Sequence, residues 1–513
     1  MPRHVKIAMG VFLGIAILSV GGRLAVDKFR SVTSLSASDA GKVSRSYRIG
    51  VDNWIGYAPL CGDEMARRLA KAGLGLECVN DNADYKSRFA ALREGKLDLA
   101  VTTVDAYLRD FDRNGSSGPL VVVIDESAGG DAIIARRDAA PNLDALKRGN
   151  SSTMTVAYTP ASPSEYLMLS LGQHFGIPFE DGKHFRELKT DGSSAALEAL
   201  QTGAAQVGVL WEPDVSTALK NPDLVKILGS EDTAGLIIDA LAASPKMVSS
   251  HEEDLRIIIR TFFDTLDFYE SETDRRNADL SIQAGAKEKD VAAMVAGVHW
   301  IFLLENGVTW FDQGPNGFGN KRLTKALHST QAILHRAGKV KSPRLSSSAA
   351  LSLVYSRVVE NMYSEVFGQS AVQTGTKRQF RKLTGDEWSR LRPIGALQVD
   401  NITFQPGTSL LTVKSRIALD EVAKMLEYYP NYRLVIRGHT SNVGDAGANR
   451  ELSVKRASSV QDYLLFNHPI DANRIRAEGY GGERPTERLP GESLRAWRYR
   501  LPRVEMAVVG ERR

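Results

Sequence analysis

The chain has 513 residues, of which 43% are hydrophobic and 25% are charged, and its formal net charge is +4. Single hydrophobic cores rarely grow past about 250–300 residues, so this length favours more than one domain. The small net charge, without a basic run interleaved with aromatic residues, argues against nucleic-acid binding. The sequence has no Walker loop and no Cys/His cluster with metal-ligand spacing, so we expect neither a cofactor nor a metal.

Residues 1–30 are typical of an export segment. Arg3, His4 and Lys6 precede an apolar run that extends from Ile7 to Gly22. A positive start and a short apolar core are features of secretion signals. No Ala-x-Ala cleavage site follows, which favours an uncleaved inner-membrane anchor with its N-terminus inside over a cleaved signal. Residues 31–46 form a Ser-rich spacer.

A first α/β lobe is predicted from Tyr47 onward. The pattern predicts a helix from Leu60 to Ala72 and five strands, at residues 47–51, 76–79, 99–103, 121–125 and 131–136. Strands and helices that alternate at this spacing predict a mostly parallel sheet. The only two cysteines, Cys61 and Cys78, fall in the first β-α-β unit. They can form a disulfide in an exported protein, and the alternative is a pair of buried thiols.

The pattern restarts with a strand at Thr155–Tyr158 and a helix over residues 166–175, and a later strand ends at Trp211. Two α/β lobes in one continuous stretch indicate a hinged pair. The two Ala-Leu-x-x-Gly units (residues 91–95 and 199–203), Ser127–Asp131 and Trp211–Pro213 resemble the type II periplasmic solute-binding proteins of ABC importers. Within that family they are most similar to the nitrate, sulfonate, taurine and thiamine-precursor group. The resemblance covers residues 47–341 and implies a two-lobed α/β fold with a cleft for a small polar solute.

Ligands of open α/β sheets bind beyond the carboxyl ends of the strands, near helix N-termini. This rule and the resemblance select the same candidate ligand-binding residues: Trp54, Tyr57, Thr103, Asp105, Asp131, Ser164, Glu165, Trp211 and Glu212. So many carboxylates would oppose a plain anion and favour an amine or a zwitterion. For each residue taken singly, the alternative is a helix cap, a solvated rim charge or a core aromatic.

Residues 342–393 are interpreted as a connector. Ser342–Ser348 is loop-like, residues 349–367 have helical apolar spacing, and residues 368–382 are polar.

In the last part of the chain, a strand at Leu434–Ile436 enters a Gly-rich polar loop. A helix is predicted to start near Asn449, with Asn449 as its N-cap. Asn449 and Arg456 are seven residues apart and so share one helical face, next to the loop at Thr440–Asn442.

The run Gly438-His-Thr440, followed by Asn449, Leu452-Ser453, Arg456-Ala457 and Val460, resembles the OmpA C-terminal-like domain. The resemblance covers residues 394–513. It implies an α+β fold that binds peptidoglycan through the diaminopimelate of the stem peptide, with Thr440, Ser441, Asn449 and Arg456 around the ligand. Ser441 stands where the family has Asp, so the alternative that the fold persists without wall binding stays open.

Together these segments predict a non-enzymatic periplasmic protein, anchored in the inner membrane, that binds a small polar solute for transport or signalling and attaches to peptidoglycan. An ABC permease or another inner-membrane protein is the implied partner. One alternative is an envelope scaffold whose lobes bind protein partners. Another is an enzyme, which no nucleophile–base pair or metal set in the sequence favours.

Overall fold

The computed structural model describes residues 43–148, 153–179, 182–233, 235–311, 322–367, 380–405, 407–489 and 491–510. The expected anchor or signal at residues 1–30 lies outside these ranges, as does most of the spacer at 31–46. Across the described ranges, no helix is long and apolar enough to cross a membrane.

The first lobe is built on a six-stranded sheet in the order β2-β1-β3-β10-β4-β11. β1 pairs in parallel with β2 and β3, whereas β10 is antiparallel to β3 and β4. The central strands β3, β10 and β4 are buried along their whole length, because helices cover both faces of such a sheet. Their bounds are Arg45–Val51 (β1), Leu74–Asn80 (β2), Leu99–Thr103 (β3), Leu120–Ser127 (β4), Ile238–Ala243 (β10) and Val298–Trp300 (β11).

The second lobe has a five-stranded sheet in the order β7-β6-β8-β5-β9, which repeats the strand order of the first lobe. β5 is antiparallel to β8 and β9. The sequence placed β5 in the first, mostly parallel sheet; the structure corrects this, because the chain crosses over just before β5. The bounds are Asp131–Arg136 (β5), Met154–Tyr158 (β6), Phe185–Lys189 (β7), Val207–Trp211 (β8) and Leu224–Gly229 (β9).

Within the described residues, two crossings therefore connect the lobes, one at residues 128–130 and one whose described parts are residues 230–233 and 235–237. Ser230 joins them, because its hydroxyl lies 2.8 Å from that of Ser127 and accepts hydrogen bonds from the backbone N–H groups of Gly129 and Asp131. A Cβ on Gly130 would lie 2.2 Å from the Trp54 ring, so only glycine fits there. This hydrogen-bonded double crossing has the form of a hinge.

Helices pack on both sheets. In the first lobe the predicted helix over Leu60–Ala72 is broken at Gly62, and a disulfide joins Cys61 to Cys78 on β2. The helices through the second crossing are Ala58–Cys61 (α1), Asp63–Lys71 (α2), Tyr85–Arg93 (α3), Val104–Asn114 (α4), Leu143–Arg148 (α5), Pro163–Phe175 (α6), Ser193–Thr202 (α7) and Asp214–Ala218 (α8). Those that follow are Pro245–Ser250 (α9), Glu252–Ser271 (α10), Thr273–Ala284 (α11), Glu288–Val295 (α12), Leu303–Glu305 (α13) and Arg322–Arg336 (α14).

The predicted connector at residues 342–393 is not a free linker along its described part. Helices Ser347–Ser352 (α15) and Arg357–Phe367 (α16) continue the first lobe. Leu353 is fully buried, and the backbone N–H of Tyr355 donates to the carbonyl of Leu120 on β4. The apolar spacing of this stretch is thus explained by packing on the first lobe.

The C-terminal domain has a four-stranded sheet in the order β12-β15-β13-β14. β13 is parallel to β14 and antiparallel to β15. The strands are Arg392–Ala396 (β12), Arg433–His439 (β13), Ile475–Gly479 (β14) and Arg503–Gly510 (β15). The helices are Gly385–Ser389 (α17), Val413–Glu427 (α18), Ala446–Asn467 (α19) and Leu494–Arg500 (α20).

The start of α19 differs from the prediction. The helix begins at Ala446, and its N-cap is Asp445, whose carboxylate accepts a hydrogen bond from the backbone N–H of Ala448. Asp and Asn are about equally good N-caps, so the residue type alone did not decide between Asp445 and Asn449. Asn449 lies one turn inside the helix, and its amide donates to the carbonyl of Val443 in the preceding loop.

The C-terminal domain contacts the second lobe and the second crossing. His174 of α6 lies 2.8 Å from the Tyr429 hydroxyl, and its carbonyl accepts a hydrogen bond from the backbone N–H of Gln398. The Tyr432 hydroxyl bonds Asp232, two residues after Ser230. Both aromatic residues follow α18.

Candidate functional site

A cavity lies between the lobes, where the carboxyl ends of β1, β3 and β8 meet the N-terminal end of α6. Its empty volume, which includes space open to solvent, is about 370 Å³. It is lined by Asp52, Trp54, Tyr57, Ala83, Tyr85, Thr103, Asp131, Ser162, Pro163, Trp211, Ile237 and Asp239.

Five of the nine predicted ligand residues line this cavity. Trp54 and Tyr57 come from the turn after β1, Thr103 ends β3, Asp131 begins β5 and Trp211 ends β8. The indole N–H of Trp54 donates to Asp125, and the Tyr57 hydroxyl bonds Asp239. Both aromatic residues are thereby fixed in orientation by buried carboxyl groups.

The other four predicted residues lie outside the cavity lining, because their polar groups are used elsewhere. The Ser164 hydroxyl donates to the carbonyl of Val209, and Glu212 accepts from the backbone and hydroxyl of Ser216. Asp105 and Glu165 face Arg109 instead, at 3.6 and 2.9 Å.

The Arg109–Glu165 ion pair connects the lobes, since Arg109 lies on α4 of the first lobe and Glu165 on α6 of the second. Both side chains are almost fully buried, and Lys339 makes a second ion pair with Glu165 at 3.0 Å. Burial alone would raise the pKa of Glu165, but Arg109 and Lys339 hold it below its usual value. The lobes are thus held together beside the cavity by charges that compensate one another.

Three of the carboxyl groups at the cavity have no ion pair with a described residue. Asp125 and Asp239 face each other across β4 and β10, and Asp131 receives a hydrogen bond from the Ser127 hydroxyl at 2.6 Å. Burial raises the pKa of Asp125 and that of Asp131 to about 7, and it raises the pKa of Asp239 well above its usual range. Among the described residues that line the cavity, none is a lysine, arginine or histidine.

Sequence reasoning missed Asp52, Tyr85 and Asp239. Asp52 directly follows β1, so the rule of strand carboxyl ends could have found it. Tyr85 begins α3 and is brought to the cavity by tertiary packing. Asp239 lies at the beginning of β10, an antiparallel strand of the return crossing, so a rule built on parallel strands excludes it.

A second candidate site surrounds Arg456 on α19. Its Nε donates to the carbonyl of Thr408 at 3.2 Å, and its guanidinium lies 5.0 Å from the centre of the Phe404 ring. Within the part of the chain that the structure describes, no carboxylate lies within ion-pair distance of Arg456. Partial burial lowers the pKa of this guanidinium, because burial disfavours a charged group. A carboxylate from a ligand would therefore supply the counter-ion for Arg456.

The loop residues predicted beside Arg456 have mixed roles. The backbone N–H of Thr440 donates to the carbonyl of Gly481, and the Ser441 hydroxyl accepts from the backbone N–H of Val443. Thr440 is buried, whereas Ser441 and Asn449 are half-buried. Asp445, the carboxylate of the same loop, is occupied as the N-cap of α19.

Residues 403–493 match the model of the OmpA family. The chain is 34% identical over 86 residues to the peptidoglycan-associated lipoprotein of Rhizobium meliloti, and 32% identical over 89 residues to outer membrane porin F of Pseudomonas aeruginosa. These matches cover 17% of this chain, and 48% and 25% of the two relatives. The predicted OmpA-like domain is confirmed, and the chain spans half or less of the length of these relatives.

The alkanesulfonate-binding protein SsuA of Xanthomonas axonopodis pv. citri, bound to MOPS, is among the solved structures with similarity to this chain. The identity is 13%, the TM-score is 0.46, and the alignment covers 62% of this chain and 99% of that one. The periplasmic nitrate-binding protein NrtA of Synechocystis is similar at 12% identity with a TM-score of 0.47, over 67% of this chain and 94% of that one. The two-lobed α/β fold predicted from the sequence rests on the repeated strand order and the double crossing described above.

Proposed function

We propose that this chain is a periplasmic envelope protein that captures a small polar solute between its two lobes and binds peptidoglycan through its C-terminal domain. The observation that supports solute capture is the cavity at the lobe junction. It combines four aromatic residues with carboxyl groups at strand ends, below a double crossing of the chain. Hinged closure around a ligand is the usual switching motion of two-lobed binding proteins.

Peptidoglycan binding is supported by the OmpA-family match and by the name of the Rhizobium relative. Arg456 lies within the matched residues with no carboxylate partner among the described ones. A guanidinium is a fixed fork for a carboxylate, such as that of diaminopimelate in the stem peptide. Ser441 in place of the family's Asp removes one partner for the ammonium of that ligand and so weakens the site without abolishing it.

Residues 1–30 would place the protein at the inner membrane, with an ABC permease or another membrane protein as the recipient of the solute. In this arrangement the lobes bind and release the solute without converting it. Closure of the two lobes around the solute would serve either transport or signalling.

A thermal-shift screen of the full chain against amino acids, amines, sulfonates and oxyanions tests solute capture. A ligand present at 100 times its Kd stabilises the folded state by about 2.7 kcal/mol, which is readily measured. We expect at least one compound to raise the Tm of the full chain and to leave that of a Trp211→Ala variant unchanged. If a broad metabolite library gives no shift, the envelope-scaffold function replaces solute capture.

A further inference from the structure

The chemical class of the solute follows from what surrounds the cavity. Four aromatic residues, which we call the cavity aromatics, contribute to its lining: Trp54, Tyr57, Tyr85 and Trp211. They come from both lobes, since Trp211 ends β8 of the second sheet and the other three belong to the first. An aromatic face attracts a cation through the negative region of its ring, most strongly when the site is desolvated.

Three carboxyl groups beside these rings have no cationic partner among the described residues. Asp131 and Asp239 line the cavity and are almost fully buried, and Asp125 lies directly behind. Asp131 accepts a hydrogen bond from Ser127, Asp239 from Tyr57 and Asp125 from Trp54. All three donors are neutral. Buried carboxylates without a counter-ion are costly, and a bound cation would remove that cost.

The nearby cations are already neutralised. Arg88 is paired with Asp52 at 3.0 Å and Asp81 at 2.5 Å, and Arg109 is paired with Glu165 at 2.9 Å. Neither of these cations lines the cavity, so a plain anion there would meet carboxyl groups and neutral side chains with no cation beside it.

We propose that the cavity binds an organic cation, an alkylated ammonium, with its charge against Asp131 and Asp239 and its alkyl groups against the cavity aromatics. This rests on the proposed function, because it names the solute class of the same cleft. A primary ammonium would lose the contacts of the alkyl groups with the rings, and a sulfonate or nitrate would find no cation in the lining.

Calorimetric titration of the full chain with choline tests the proposal. The matched control ligand is 3,3-dimethylbutan-1-ol, which has the shape of choline with carbon in place of the charged nitrogen. We expect choline to bind at least tenfold more tightly than this alcohol and more tightly than ethanolamine, whose ammonium carries no methyl groups. Nitrate and methanesulfonate should not bind.

Variants separate the cavity from the rest of the protein. Asp131→Asn keeps the shape of the side chain and should weaken choline binding at least tenfold, as should Trp211→Ala. The matched controls are Asp138→Asn, an exposed aspartate of the same lobe, and Trp497→Ala in the C-terminal domain, and both should bind choline like the parent. Tyr85→Leu, which keeps an apolar side chain, provides a further cavity variant if Trp211→Ala fails to fold.

The outcomes distinguish a failure of the cation proposal from a failure of the proposed solute capture. If choline and its neutral isostere bind equally, or if only oxyanions and sulfonates bind, the cation proposal is wrong while solute capture stands. If choline, tetramethylammonium and ethanolamine all fail to bind although another compound does, the cation proposal is likewise overturned. If no compound in the panel or in the wider screen binds, the proposed solute capture itself fails.

Discussion

At the scale of single residues, the cavity carboxyl groups make both stability and binding depend on pH. Burial raises the pKa of Asp131 to about 7, whereas an unfolded aspartate has a pKa near 3.9. The folded protein therefore holds a proton that the unfolded chain has lost between these two pH values. This contribution to stability is fully present at low pH and is lost as the pH rises through about 7.

The first prediction follows from this loss of stability with rising pH. The Tm of the parent minus that of Asp131→Asn should decrease as the pH rises from 5.5 to 8.5. The variant serves as the reference because asparagine does not titrate. The increase in Tm produced by choline should grow over the same range, since the ionised carboxylate attracts the cation. Thermal unfolding of both proteins at four pH values, with and without choline, measures both trends. A choline effect that is larger at pH 5.5 than at pH 8.5 would contradict this assignment.

The second prediction concerns Arg456. Replacement by alanine removes a charge-assisted contact worth about 1.5–3 kcal/mol, which corresponds to roughly a tenfold to hundredfold loss of affinity. Sedimentation of the full chain with diaminopimelate-type peptidoglycan should show this loss for Arg456→Ala. Ser441→Asp should bind more tightly than the parent, because it restores a carboxylate partner for an ammonium.

Arg450→Ala is the matched control, since Arg450 lies on the same helix but is exposed and paired with Glu483. It should bind peptidoglycan like the parent. Equal binding by Arg456→Ala and the parent would place the wall contact elsewhere in the domain.

At the scale of elements, the third prediction concerns the disulfide between α1 and β2. It links residues 17 apart, and closing a loop of that size stabilises a protein by about 3 kcal/mol in the chain-entropy account. A double variant, Cys61→Ser with Cys78→Ser, should unfold at lower urea concentration by an amount of that order. Free thiols in unreduced, denatured protein from the periplasm would contradict the bond.

The elements also show which parts of the structure could be predicted from the sequence. The alternation of strands and helices predicted both lobes. The rule that ligands bind beyond the carboxyl ends of strands led to Trp54, Tyr57 and Trp211, because parallel strands direct these ends to one edge of the sheet. The same rule could not find Asp239, whose strand enters the sheet in the opposite direction. Ser164 and Glu212 satisfied the rule by position, but local hydrogen bonds to Val209 and Ser216 occupy their side chains.

At the scale of the whole molecule, the C-terminal domain packs against the second lobe through His174 and Tyr429. Burial lowers the pKa of His174 to about 4, well below that of a free histidine near 6.5. The docked state therefore binds fewer protons, so docking is strongest above pH 6.5 and weakens as the pH falls toward 4. Tyr429, Tyr428 and Arg336 face this imidazole, and Arg336 further disfavours its protonation.

The fourth prediction is that the radius of gyration of the full chain increases between pH 7 and pH 5 as the two domains separate. Small-angle scattering measures this change directly. A His174→Gln variant, which cannot be protonated, should show a smaller increase over the same range. An equal increase in both proteins would assign the expansion to other groups.

The central claim is that the cleft between the lobes holds a solute, and the most direct measurement is mass spectrometry of small molecules released from the purified full chain. The protein would be expressed in the periplasm of a diderm bacterium and denatured after gentle purification, in parallel with Trp211→Ala and Asp131→Asn. The account predicts a cationic metabolite that the parent retains in near-stoichiometric amount and that both variants lose. Identical small-molecule profiles for the parent and both variants would contradict it.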